Sequence, residues 1–192
     1  GLIFPVKEIC EIARNHNIIS IIDGAHAPGQ IPVDISEINP DIYVGACHKW
    51  MCSPKGVSFL YAKKEHQAMI DPLIISWGYE PDEVNKNQFL DYHQWQGTKD
   101  MSAFLTIPDT IKFLNKYNWK EVTKECHEMN LWARDQINNL IDNEALASDD
   151  FLGQMSSFYY NINEDPFDFN IKFYLKYKIQ IPFMAWKDKT LM

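Results

Sequence analysis

The 192 residues carry a net charge of −8, and 46% are hydrophobic, 14% aromatic and 23% charged. That mixture excludes a disordered or low-complexity chain and leaves material for one large domain or two small ones. The acidic balance argues against nucleic acid as a partner, because phosphate binding needs a basic face, and no apolar run approaches the roughly 18 residues that span a membrane.

Gly1-Leu2-Ile3-Phe4-Pro5 lacks the charged stretch and cleavage site of a secretory signal. No initiator Met is present, and the chain stops at Thr190-Leu191-Met192; the expectation is a partial chain. Cys10, Cys47, Cys52 and Cys126 form no CxxC pair. They fit reduced thiols in a cytoplasmic protein better than a disulfide framework or a zinc site, and no metal is expected.

In chain order, Pro5 to His16 predicts a helix, with Val6, Ile9, Cys10 and Ala13 on one face. Ile18 to Asp23 predicts a strand, apolar enough to be buried on both faces. Gly24 to Gly29 is a loop and Asp34 to Asn39 a helical turn. Asp41 to Ala46 is a second buried strand, and His48 to Gly56 a loop. Val57 to Ala62 is a third strand and Lys63 to Ile70 a short helix. This alternation predicts an α/β layer with a mainly parallel sheet. Leu73 to Trp77 is a further candidate strand, and Pro81 to Gln88 an exposed loop. Two long helices follow over Asp100 to Tyr117 and Trp119 to Ile141, the second amphipathic. After Asp149 a smaller α+β unit is expected, with strands over Met155 to Asn161 and Ile181 to Trp186 around a helix from Pro166 to Tyr177.

Chemistry concentrates at two strand ends. Asp23 closes the first buried strand, and Lys49 lies just past the second, in Ala46-Cys47-His48-Lys49-Trp50. Ligand sites of open α/β sheets lie at the carboxyl ends of strands, so a carboxylate and an amine are expected at one edge, with His26 and His48 in the same loops. Taken alone, Asp23 could be a turn carboxylate and Lys49 an exposed loop lysine. Apolar neighbours Ala46, Trp50, Met51 and Cys52 would instead desolvate the amine and lower its pKa, as a Schiff-base lysine requires. The pair suits pyridoxal phosphate: the lysine carries the aldehyde and the aspartate keeps the pyridine nitrogen protonated.

Asp23-Gly24-Ala25-His26-Ala27-Pro28-Gly29-Gln30-Ile31-Pro32-Val33-Asp34, then Asp41 to Ala46, His48-Lys49-Trp50 and Ser53-Pro54-Lys55-Gly56, resemble the class V aminotransferase family. These are fold-type I pyridoxal-phosphate enzymes, and the pattern is most similar to their isopenicillin N epimerase branch. The resemblance implies that Lys49 is the Schiff-base lysine and α-carbon base, and that Asp23 pairs with the pyridinium nitrogen. It implies that His26 lies near the cofactor's phenolic oxygen and that His48 contacts the phosphate. Trp95-Gln96-Gly97-Thr98-Lys99-Asp100 resembles a loop whose Gly97 and Thr98 would reach the phosphate of a neighbouring subunit in a homodimer. A Gly-Thr turn before a helix does offer N–H groups and a hydroxyl to an anion, although it could be an ordinary N-cap.

Ala46 stands where many members have a phosphate-binding Ser. The first phosphate loop, the ring-stacking aromatic and the carboxylate-gripping arginine have no counterpart in the 192 residues. Cys126, on a helix, is expected to be packed, and no catalytic thiol is assigned. Trp77, Tyr79 and His93 are expected in the core or the site wall. Residues 1–120 would be the later part of the cofactor-binding large domain, and 121–192 a linking helix and small domain. The activity implied is epimerase- or aminotransferase-like chemistry on an amino acid. The alternatives are a C–S lyase or cysteine desulfurase-like enzyme, or a non-catalytic dimerising relative.

Overall fold

The structure is a computed structural model that describes residues 1–82 and 87–192. It divides into two compact units, one over Pro5–Trp119 and one uniting Gly1–Phe4 with Lys120–Met192.

The first unit opens with α1 (Val6–Asn15), which starts behind Pro5 and buries Cys10 and Ala13. Next come β1 (Ile21–Asp23), α2 (Ile35–Ile38), β2 (Ile42–Ala46), β3 (Ser58–Ala62) and α3 (Lys64–Gln67). The Asp34 carboxylate accepts the N–H groups of Ser36 and Glu37 and so caps α2. The strands form one sheet in the order β1-β2-β3. β1 runs parallel to β2 in the register Ile21↔Ile42, Ile22↔Tyr43, Asp23↔Val44. β3 runs antiparallel to β2, from Ile42↔Ala62 to Ala46↔Ser58. The α/β class stands, with a mixed sheet. No helix intervenes between β2 and β3, and a chain that turns back through a loop returns antiparallel. Tyr43 is fully buried in this sheet, stacked on Phe59 at 6.0 Å between centroids.

β1 is shorter and more exposed than its composition suggests: Ile21 is 67% exposed. It lies at the edge of the sheet, so only β2 covers its ladder. Leu73 to Trp77 forms no strand, and Leu73, Ile74, Ile75 and Trp77 are exposed; extended backbone without a ladder partner is not a strand. Trp77 is therefore not a core residue. The loop expected over Pro81 to Gln88 lies partly outside the described residues. A helix not anticipated there, α4 (Gln88–Gln94), begins where the Asn87 side chain accepts N–H groups of Phe89 and Leu90. The long helix expected from Asp100 is two pieces, α5 (Ser102–Leu105) and α6 (Ile107–Lys116). Pro108 explains the break, because it cannot donate to the preceding turn and starts a helix well.

Asp41 holds the amino end of β2 to both neighbours. Its Oδ2 accepts the Ser20 N–H at 2.8 Å and the Ser20 hydroxyl at 2.9 Å, and its Oδ1 accepts Lys63 Nζ at 2.8 Å. The Asp41 N–H donates to Ser20 Oγ at 3.0 Å, and the Lys63 N–H to the Asp41 carbonyl at 2.9 Å. His66 Nε2 lies 3.4 Å from the same carboxylate. Burial alone would raise the Asp41 carboxyl, but the hydrogen bonds from Lys63 and Ser20, with the Lys63 charge, outweigh it and hold it well below the usual carboxylate range.

The second unit contains α7 (Trp119–Ile141, from Lys120 onward), α8 (Pro166–Tyr177) and a hairpin of β4 (Met184–Trp186) with β5 (Lys189–Leu191). Phe169, Phe173 and Phe183 pack together beside Tyr160, with Phe169 edge-on to Phe183 at 4.8 Å. The Asn170 side chain brackets the Phe183 backbone, donating to its carbonyl and accepting its N–H, each at 2.9 Å. The strand expected over Met155 to Asn161 reduces to a bridge between Tyr159 and Leu191. Ile3 joins this unit through its N–H on the Phe151 carbonyl at 2.8 Å. No helix among the described residues is long and apolar enough to cross a membrane.

A carboxyl depressed in the folded state stabilises it at all pH above its ordinary range, and that stability is lost as pH falls through the folded value. Asp41→Ala strands Lys63 and Ser20 and is expected to cost roughly 3 kcal/mol at pH 7. The difference from wild type should shrink as pH falls below the ordinary carboxylate range. Urea unfolding across pH checks both points.

Candidate active site

β1 and β2, being parallel, end at the same edge of the sheet, opposite the Asp41 anchor. Asp23 is the last residue of β1. The turn beyond it is fixed at once: the Ala25 N–H donates to Asp23 Oδ1 at 3.0 Å, and the Gly24 N–H continues the ladder to the Val44 carbonyl at 2.9 Å. Gly24 is buried over the Tyr43 ring, where a Cβ would come within 2.0 Å of the phenol oxygen. That hydroxyl is buried without a hydrogen-bond partner among the described residues. Burial first, then the Asp23 charge, raise its pKa.

Past β2, Cys47 to Val57 form a closed loop. The Cys47 N–H donates to the Val57 carbonyl at 3.0 Å, and the Ser53 N–H to the Cys47 carbonyl at 3.2 Å. Inside it, the Cys52 N–H donates to the Lys49 carbonyl at 3.2 Å and closes a turn with Cys52 in the left-handed region at φ 62°. Lys49 stands at the head of that turn, exposed. The apolar enclosure expected from Ala46, Trp50, Met51 and Cys52 is not formed, because Trp50 turns its indole toward His26 instead. Among the described residues the Lys49 ammonium makes no ion pair or hydrogen bond, so the amine is open to a ligand.

The two loops pack on each other. Gly29 has φ +83°, and a Cβ there would lie 2.6 Å from both the carbonyl carbon and the oxygen of Trp50. The Gly29 carbonyl accepts the Trp119 indole N–H at 2.8 Å. Trp50 Nε1 lies 3.3 Å from His26 Nδ1, and the His26 carbonyl accepts the Gln30 side chain at 2.8 Å. The His26 ring is exposed overall, yet what burial it has is the first cause that lowers its pKa. The Lys49 charge lowers it further, and Asp23 opposes both. Asp23, His26 and Lys49 therefore share one electrostatic neighbourhood.

His48 lies beside Lys49 but is pinned elsewhere, with Nδ1 2.9 Å from the Val57 carbonyl. A carbonyl only accepts, so Nδ1 carries a proton and neutral Nε2 offers a lone pair. His48 can serve an anion only when both nitrogens are protonated. Gly97 and Thr98 are not joined to Asp23, His26 or Lys49 by any hydrogen bond among the described residues. Gly97 has φ +95°, Thr98 is exposed, and the four-residue α5 beyond them supplies little helix dipole. Nearby, His93 is partly buried and stacks on Phe89 at 4.4 Å, and Tyr79 on Tyr92 at 4.8 Å. Trp50, Trp119 and Tyr43 were not legible as parts of this edge. The only available signal was that an indole N–H in a folded core needs an acceptor.

The donor set fits pyridoxal phosphate: a primary amine open to the aldehyde, a carboxylate for the pyridine nitrogen, and an imidazole that feels the charge of both. Lys49, Asp23 and His26 are the residues that would hold it.

The fold defines the class. Over 95% of its length, this chain aligns with 46% of the cysteine desulfurase from Thermococcus onnurineus NA1, at a TM-score of 0.76 and 16% sequence identity, which shows the fold-type I architecture alone. The chain belongs to the class V aminotransferase family, whose pattern, aminotransferase class-V, it matches over residues 1–165. It is 28% identical over 203 aligned positions to the isopenicillin N epimerase of Amycolatopsis lactamdurans, covering 100% of this chain and 51% of that protein. It is 30% identical over 134 positions to the hercynylcysteine sulfoxide lyase of Schizosaccharomyces pombe, covering 68% of this chain and 34% of the lyase. The chain thus spans about half of the first of these curated relatives and about a third of the second.

Gly29→Ala would force a Cβ into the Trp50 backbone at a positive φ. It is expected to destabilise the first unit by about 1–3 kcal/mol and to open the Lys49 loop. Chemical denaturation and limited proteolysis at Lys49 measure the two effects.

Proposed function

We propose that this chain carries the cofactor-bearing part of a pyridoxal-phosphate enzyme acting on an amino acid, of epimerase- or aminotransferase-like type. The observation that supports it is the parallel β1–β2 pair, which ends in Asp23 and leads into Lys49, with His26 under the charge of both. Bound pyridoxal phosphate supplies an electron sink for charge developing at a substrate α-carbon. Lys49 Nζ would hold the cofactor's aldehyde and move a proton at the substrate α-carbon. Asp23 would keep the pyridine nitrogen protonated, His26 would serve the phenolic oxygen, and His48 the phosphate. Gly97 and Thr98 would serve the phosphate of the second subunit in a homodimer.

In this proposal, residues 1–120 are the later part of the large domain and 121–192 the linking helix and small domain. The division at Trp119 supports that boundary. Free Cys10, Cys47, Cys52 and Cys126 support a reducing, cytoplasmic setting. The similarity to the sulfoxide lyase favours one second possibility, a lyase in which loss of a β-group follows removal of the α-proton. Cys126 is only partly buried, not sealed in a core as expected, but it lies in α7 and not on a mobile loop.

Incubation with pyridoxal phosphate, borohydride reduction and peptide mapping should place a pyridoxyl group on Lys49, and Lys49→Ala should remove it. Absence of the label, or a label that survives the substitution, would leave the non-catalytic relative as the better description.

A further inference from the structure

Two histidines flank Lys49, and the atoms they face are of opposite kinds. His48 Nδ1 meets a carbonyl oxygen, which accepts only. His26 Nδ1 meets the indole nitrogen of Trp50 at 3.3 Å, which donates only. In the neutral ring, a nitrogen that accepts leaves the proton on the other one. We infer that Trp50 is a positioning residue that locks His26 as the Nε2–H tautomer, so that His26 presents a hydrogen-bond donor at the Asp23–Lys49 edge while neutral His48 presents an acceptor.

The surroundings support the lock from the remaining sides. The His26 carbonyl accepts the Gln30 side chain at 2.8 Å, which steadies the backbone of the turn that carries the ring. Gly29 seats the whole turn against the Trp50–Met51 backbone, where any Cβ would collide. Trp119 fastens the same turn through the Gly29 carbonyl. Burial first, then the Lys49 charge, disfavour the imidazolium, against the opposing charge of Asp23. A ligand that accepts a hydrogen bond, such as a phenolate or other oxyanion, is thus favoured next to His26 over one that donates. Locking the tautomer is a property of the chain alone. Its use toward an aldehyde cofactor rests on the function proposed above.

Long-range proton–nitrogen NMR of histidine-labelled protein, recorded without cofactor, reads each ring directly. His26 is expected as Nε2–H and His48 as Nδ1–H. Trp50→Phe keeps an aromatic ring and removes the indole N–H; it should release His26 into a mixture of tautomers while His48 stays Nδ1–H. A wild-type His26 protonated on Nδ1, or a pure Nε2–H signal that persists in Trp50→Phe, would overturn the lock. Should that variant fail to fold, Trp50→Leu, which also lacks the indole N–H, makes the same comparison. With pyridoxal phosphate added, the pH at which the visible band interconverts should move in Trp50→Phe, and an unmoved midpoint would refute the positioning role. Failure of wild type to give any band counts against the cofactor assignment, while the tautomers are still settled by the cofactor-free spectra.

Discussion

The register between β1 and β2 is the constraint on which the candidate site depends. Side chains alternate along a strand, so a slip of one residue would turn Asp23 to the opposite face. Asp41 fixes that register from one end by taking both the N–H and the hydroxyl of Ser20, and by drawing Lys63 in from β3. Gly24 fixes it from the other end through the Val44 carbonyl. A satisfied buried carboxylate is a good device for this purpose, because any slip leaves it unpaired, and an unpaired buried charge is expensive. Energy invested at one edge of the sheet thus sets geometry at the other.

At that other edge, the two loops hold each other in place and need little from the rest of the unit. Gly29 allows the backbones to touch, the Trp50 indole links them through His26, Trp119 fastens the first loop at the Gly29 carbonyl, and the Cys47–Val57 closure keeps the Lys49 turn in shape. Lys49 itself is exposed, and its ammonium has no ion pair or hydrogen bond among the described residues. Such an amine is available to an aldehyde.

Much of this was legible in the sequence. Apolar runs ending in Asp23 and Ala46 announced neighbouring strands, the His48-Lys49-Trp50 segment placed the amine, and α7 and α8 span the residues expected of them, although α7 buries Arg134 and Asn138 and exposes Met129, Trp132 and Leu140 of its expected apolar face. What escaped had tertiary causes. β3 turned antiparallel because its connection was a loop and not a crossover helix. The helix from Asp100 broke at Pro108, and Leu73 to Trp77 found no ladder. Asp41 looked like the first residue of a strand, since its worth lies in partners at Ser20 and Lys63 that only folding brings together. The enclosure of Lys49 was expected from adjacent residues, but Trp50 spends its indole on His26. Composition around a residue does not say which way its neighbours face.

The central claim is that the paired strand ends make Asp23 and Lys49 serve one aldehyde cofactor. Nitrogen NMR of the protein loaded with pyridoxal phosphate labelled at the ring nitrogen tests it most directly. The account predicts a protonated pyridine nitrogen at neutral pH in the wild type, and a deprotonated one in Asp23→Ala with Lys49 still labelled. A ring nitrogen in the same protonation state in both proteins would contradict it.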